Sequence, residues 1–188
     1  MSGDIFVWPD PVRAVEAARH TAAAPLRRGL SADAAARRRI AKALDLVAVD
    51  RLDAELSLSG WHDGVQVDGS WTARITQTCG VTLEAFASEL EGAFQLRLVP
   101  PTSRHAPVMT EDEIVIDIEA EDPPEVLEGD TIDLGAYVIE HLALEIDPFP
   151  RKPDAVFEPP IPTAEISPFA ALRALRLDKS AEDETGGG

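Results

Sequence analysis

From residue 52 to residue 79 the chain holds a two-residue hydrophobic period, which commits that stretch to sheet. Leu52, Ala54, Leu56 and Leu58 alternate with Arg51, Asp53, Glu55, Ser57 and Ser59. Val65, Val67, Trp71, Ala73, Ile75 and Cys79 then share a second alternation, broken at Gly69 and Gln77. Successive side chains of a strand point to opposite faces, so each run buries one face and wets the other. Asp63-Gly64 is the turn signal between two long antiparallel strands, and Trp61 and His62 ahead of it predict a loop less tidy than a two-residue hairpin. Phe94, Leu96 and Leu98 alternate with Gln95 and Arg97 and predict a third strand at 93–99. Ile114, Ile116 and Ile118, against Val115, Asp117 and Glu119, predict a fourth at 113–119.

Elsewhere the period is helical. Ala36, Ile40, Ala43, Leu44 and Val47 predict a helix over 32–46 with Ser31 as its N-cap, while Arg37, Arg38, Arg39 and Lys42 occupy its other sides. Leu134, Tyr137, Val138, His141, Leu142 and Glu145 predict another over 133–146, capped by Asp133 or Thr131 and ended by Pro148. Ile5 to Trp8 reads as a short extended piece interrupted by Pro9 and Pro11, and residues 100–107 as a long mobile connection. The fold class is therefore α+β: a mostly antiparallel sheet of four or more strands covered by two main helices, in one domain over 1–147. Residues 148–188 form a Pro-rich arm, with seven prolines from Pro148 to Pro168 and a disordered end from Ser180. Within it Phe169, Leu172 and Leu175 make segment 168–177 amphipathic. That segment is a tail anchor, for a partner's groove or for the domain's own sheet.

Charge limits the function. The net charge of the 188 residues is -17, and it is uneven: +3 up to Arg51 and -20 beyond it. Fourteen acidic residues and no Lys or Arg lie between Glu111 and Asp147. Nucleic-acid affinity comes largely from cations that displace counterions from phosphates, so such a segment repels RNA and DNA at long range. A solvated face is the simpler reading of this block; the functional reading is a surface that attracts a basic partner, built on Asp117, Glu119, Glu121, Asp122, Glu125, Glu128 and Asp130. One cysteine, no apolar run of membrane-spanning length and no signal-like start point to a reducing cytoplasm and no membrane.

Catalytic signals are thin. No Gly-rich phosphate loop, Gly-x-Ser-x-Gly elbow or His-Glu-x-x-His pattern occurs, and His20, His62, His105 and His141 are far apart. Cys79 sits in phase with Ala73 and Ile75 and reads as a core residue. His141 shares a face with Leu134 and Val138 and reads as a rim or satisfied core histidine. Trp71 reads as core; Trp61 is a possible binding handle. Neither an enzyme, a cofactor nor a metal site is expected.

The stretches Ile75-Thr76-Gln77-Thr78-Cys79-Gly80-Val81-Thr82-Leu83-Glu84-Ala85-Phe86, Ile132-Asp133-Leu134-Gly135-Ala136-Tyr137-Val138-Ile139-Glu140-His141-Leu142-Ala143-Leu144 and Pro148-Phe149-Pro150-Arg151-Lys152-Pro153 resemble the YceD family of large ribosomal RNA subunit accumulation proteins, in its proteobacterial form. The likeness runs over about residues 5–177; its motif residues here are Cys79, Thr82, Leu83, Glu84, Phe86, Asp133, Leu134, Gly135, Pro148 and Pro150. It implies a cytoplasmic bacterial factor needed for 23S ribosomal RNA accumulation and large-subunit biogenesis, with no established reaction. Many members carry a Cys-x-x-Cys at the strand end and later cysteines, which suggests zinc. Here Thr76 stands at the first cysteine position and Arg151-Lys152-Pro153-Asp154-Ala155 at the later ones. The resulting expectation is a non-catalytic factor that binds a basic ribosomal protein or a pre-50S particle through its acidic surface, with any rRNA contact indirect. The alternatives are direct rRNA binding through Arg37, Arg38, Arg39 and Lys42, together with Arg27 and Arg28, and an unrecognised hydrolase or metal enzyme.

Overall fold

A computed structural model describes residues 8–107 and 122–157. The segment 113–119, Ile5 to Val7, Asp117, Glu119, Glu121 and the anchor residues Phe169, Leu172 and Leu175 lie outside the described residues. Chain contacts divide the protein into two compact units, 1–155 and 156–188, and every described helix and strand belongs to the first.

Its elements are β1 (Pro11–Arg13), α1 (Ala14–Ala17), β2 (Leu26–Ser31), α2 (Ala34–Ala43), β3 (Ala48–Trp61), β4 (Gly64–Thr78), β5 (Ala85–Val99), β6 (Glu125–Val126), β7 (Thr131–Asp133) and α3 (Leu134–Glu145). Strands β2 to β6 make one five-stranded sheet in the order β2-β3-β4-β5-β6, antiparallel except for the parallel pairing of β5 with β6. β1 pairs with β7 in a separate two-stranded ribbon. One face of the large sheet supplies Leu52, Leu56, Leu58, Val65, Val67, Trp71, Ala73 and Ile75 to a buried cluster that also contains Ile40 of α2, Val12, Ile132, and Leu134, Val138 and Leu142 of α3.

The long hairpin follows its alternation closely, and both interruptions have a physical purpose. Gly69 lies opposite Phe94, whose ring fills the space where a Cβ would be, and Gly92 lies opposite Trp71, whose ring occupies the corresponding place on β5. The two aromatic rings thus cover the two bare positions of neighbouring strands. Gln77 is buried because its Nε2 donates to the Asp147 carbonyl just beyond α3.

Several expectations need correction. The turn is a two-residue loop after all: Trp61 pairs with Gly64, with His62 at φ 52° and Asp63 between them. His62 adopts the left-handed backbone usually left to Gly or Asn, and so the Asp-Gly pair is displaced by one position. Helix α2 starts at Ala34 and its cap is Asp33, whose carboxylate accepts from the Ala36 N–H at 2.7 Å. Ser31 instead ends β2 and donates to Asp53 at 2.6 Å. Consequently Val47 falls beyond the helix and is exposed. β5 begins at Ala85, eight residues earlier than its apolar pattern indicates, because Ser88 and Gly92 hold the inner positions where hydrophobes were sought. β2 gave no such pattern, since Arg28 stands on its inner side between Leu26 and Leu30, reaching Glu16 of α1.

Residues 100–107 are tied down. Ser103 N–H donates to the Pro100 carbonyl, and its hydroxyl donates to Asp63 at 2.8 Å, which pins the connection to the hairpin tip. His105 stacks on His62 there at 4.2 Å, and Arg97 lies over the Trp61 ring. The Ser103 hydroxyl also holds the Asp63 carboxyl below its usual range.

Candidate functional site

Of the acidic surface, Asp122, Glu125, Glu128 and Asp130 are described, and all four are exposed. They lie around β6 and on the approach to β7, a stretch with little regular structure. Glu125 accepts a hydrogen bond from the Tyr137 hydroxyl of α3 at 3.1 Å, and burial together with that carboxylate pushes the phenol's pKa well up. Thr131 donates to Asp130, whose backbone carbonyl receives Ala14 N–H. The carboxylates therefore stand on a backbone anchored at several points.

The basic residues of α2 separate into two roles. Arg37 is partly committed to the helix start, donating to the Ala32 carbonyl at 3.2 Å. Arg38 and Lys42, one turn apart and exposed, flank a shallow cleft of about 310 Å³ reaching Leu46, Val47 and Val49, while Arg39 is exposed next to them. Arg39 and Arg37 both draw the Asp33 carboxyl down, behind the larger effect of the Ala36 N–H.

At the other end of the hairpin, β4 runs into a tight loop at 79–84. Its closure is made by Cys79 N–H to the Glu84 carbonyl and Leu83 N–H to the Cys79 carbonyl, both at 2.9 Å. Leu83 takes φ 60° within this loop and is 78% exposed. A bulky residue rarely adopts that backbone. The same loop aims two consecutive N–H groups, of Val81 and Thr82, at the Cys79 sulfur (3.4 Å each). A third donor, Lys152 N–H, arrives at 3.3 Å from the segment after α3. Cys79 is buried, as its phase with Ala73 and Ile75 predicts, and its sulfur also accepts hydrogen bonds. The Thr82 hydroxyl and these N–H groups bring the thiol down to about 6. Gly80 N–H donates to the Pro150 carbonyl, and Lys152 Nζ meets Glu84 at 2.8 Å, lowering that carboxyl. The start of the Pro-rich segment is therefore bonded to this loop.

A family model described as large ribosomal RNA subunit accumulation protein YceD matches residues 67–176. The chain belongs to the YceD family. No curated protein and no solved structure matches the chain.

The YceD match begins within β4 and includes the Cys79 loop, β5, β6, α3 and the segment after it. The motif residues fall into two structural groups. Cys79, Thr82, Leu83 and Glu84 shape the loop and Pro150 docks on it, with Phe149 N–H turned onto Asp147 just after Pro148. Phe86 follows on β5, opposite Gln77. Asp133, Leu134 and Gly135 start α3: Asp133 accepts from Gly135, Ala136 and Asp10 N–H groups, and a Cβ on Gly135 would run into the Trp8 carbonyl oxygen.

The described residues around Cys79 do not make a zinc-ligand set. Thr76 faces away from Cys79, donating to Asp50 on the opposite side of the strand, and the side chain that meets the sulfur is Thr82. Among the described residues no three His, Cys, Asp or Glu side chains are grouped to hold a metal ion. No described helix is long and apolar enough to cross a membrane. Sequence reasoning missed Thr82 and Lys152 as partners of Cys79, and the only available signal was their place in the motifs.

Proposed function

We propose that this YceD protein supports 23S rRNA accumulation without catalysis, by binding a basic ribosomal protein, free or on the pre-50S particle, through its acidic surface. The observation that carries this reading is the set Asp122, Glu125, Glu128 and Asp130, placed in a stretch from Glu111 to Asp147 that lacks any Lys or Arg. A field of that sign accelerates encounter with a cationic partner and repels bare phosphate. The family's description supplies the ribosomal setting. The test is a pulldown with the full chain from ribosome-free extract and from stripped ribosomal proteins, at low and moderate salt. Retention of basic ribosomal proteins that falls steadily with salt is the expected result; recovery of none overturns the reading.

Arg38 and Lys42 at their cleft favour a second reading, direct contact with rRNA phosphates. Filter binding with 23S fragments separates the two, because RNA affinity that survives physiological salt and is lost in the Arg38→Ala, Lys42→Ala double variant belongs only to the second.

A further inference from the structure

Helix α2 stops abruptly, and its end makes an apolar ridge. Asp45 takes φ 53°, the left-handed backbone that terminates helices, and Leu46 N–H returns to the Ala41 carbonyl. Val47 N–H then bonds to the Thr76 carbonyl of β4, which leaves the Val47 side chain 57% exposed on a fixed backbone. Beside this ridge the chain leaves α3 under similar constraint. Gln77 Nε2 donates to the Asp147 carbonyl, Phe149 N–H to the Asp147 carboxylate, and Gly80 N–H to the Pro150 carbonyl. Phe149, held between these bonds, is 80% exposed. A large side chain kept in water on an anchored backbone has already lost most of the freedom that binding would cost it.

The two segments enclose a cleft of about 490 Å³, with Leu46 and Val47 on one wall, Ile146, Pro148 and Pro150 on the other, and Gln77 and Thr78 between them. A knob and a hole therefore lie side by side on one face. An isologous dimer requires this arrangement, since a two-fold axis gives each copy's knob to the other's hole. The charges agree with it. Leu46 and Val47 also line the smaller cleft of Arg38 and Lys42, so cations flank the ridge on one side, while Asp45 and Asp147 flank it on the other. A two-fold axis near Val47 reverses that order in the second copy and sets cations against acids.

We infer that the chain associates with a second copy of itself through this face, in a two-fold dimer in which Phe149 of each copy enters the cleft between Val47 and Pro148 of the other. The apolar contacts supply the affinity, and the flanking charges set the orientation. At long range two chains of net charge -17 repel, so the dimer tightens as salt screens them. Binding of the basic partner has the opposite salt trend, and dimer formation does not depend on it.

Sedimentation equilibrium of the full chain over roughly 1–300 µM reads the association constant. The expected result is a reversible monomer–dimer equilibrium that tightens from low to moderate salt. Phe149→Ser, and separately the Arg38→Glu, Lys42→Glu double variant, should each weaken it by roughly tenfold or more. All three side chains are exposed, so circular dichroism should show the native fold in both variants. A second measurement does not rely on loss of association. With oxidised glutathione as oxidant, Val47→Cys should cross-link into a disulfide dimer faster than Val15→Cys, a comparably exposed position (62%) on α1, with Cys79 buried in both. A chain that stays monomeric over the whole range, or equal cross-linking at the two positions, overturns the dimer. Monomers that lose basic ribosomal proteins on Phe149→Ser also overturn it, and assign the face to that partner.

Discussion

On β3 and β4 the inner side chains Leu52, Leu58, Val67, Ala73 and Ile75 are at most 1% exposed, while Asp53, Glu55, Ser70, Thr72 and Arg74 of the same two strands face water. The inner row is large, apolar and continuous with the helices. The outer row is small or charged, and Glu89 balances two of its cations: it receives Arg74 at 3.0 Å and Arg51 at 3.5 Å, although those two arginines stand directly opposite each other. The difference teaches that the sheet's stability resides on one face. The other face is open to selection for what it contacts.

The largest effect that would sharpen this contrast is on the inner row. Ile75→Ala should cost about 3 kcal/mol in urea denaturation, since it deletes a fully buried side chain from a packed core, while Thr72→Ala nearby on the outer row should stay within about 0.5 kcal/mol. Equal losses at the two positions would break the comparison. Next comes Gly92→Val, whose Cβ would approach the Trp71 ring to 2.6 Å; a loss of about 1–3 kcal/mol with altered near-ultraviolet circular dichroism is expected.

A smaller effect belongs to the end of the inner row, where Cys79 replaces packing with hydrogen bonding. Its thiol titrates at about 6 in the folded protein and at about 8.5 when unfolded. Because the folded value is the lower one, the stabilisation is complete above the unfolded value, declines as pH falls between the two, and is gone below about 6. Thiolate absorbance followed against pH should show the low midpoint, and Cys79→Ala should remove this component of the stability profile. The smallest effect is expected for Arg74→Ala, where an exposed ion pair is lost: about 0.5 kcal/mol or less, fading with added salt.

Much of the inner face was legible in the sequence because a strand's period of two is printed directly by large hydrophobes. Leu52 to Leu58 and Val65 to Ile75 needed no tertiary information. The hidden parts are those where the inner position is small or charged for the sake of a neighbour. Gly92 is bare because Trp71 covers it, and Arg28 is tolerated because Glu16 meets it, so β5's first half and β2 lacked a hydrophobic signature. The Asp133 cap was legible, since its signal is local; the Asp33 cap was not, because Ser31 offered an equally good local signal and only the pairing of β2 with β3 decides between them. The Cys79 loop was the least legible, as its third donor comes from Lys152, far along the chain. Within the acidic surface, residue identity was evident from composition, and the tie between Glu125 and Tyr137 was not.

The ribbon of β1 with β7 joins Pro11–Arg13 to Thr131–Asp133, partners separated by more than a hundred residues. β2 to β5 can zip together from neighbouring stretches as they are made, but Val12 must wait, uncovered, until Ile132 is synthesised. At roughly 5–20 residues per second that delay is on the order of ten seconds. Closure of this clasp is thus a late event of biosynthesis, and until it occurs Val12 lacks the strand partner that later covers it.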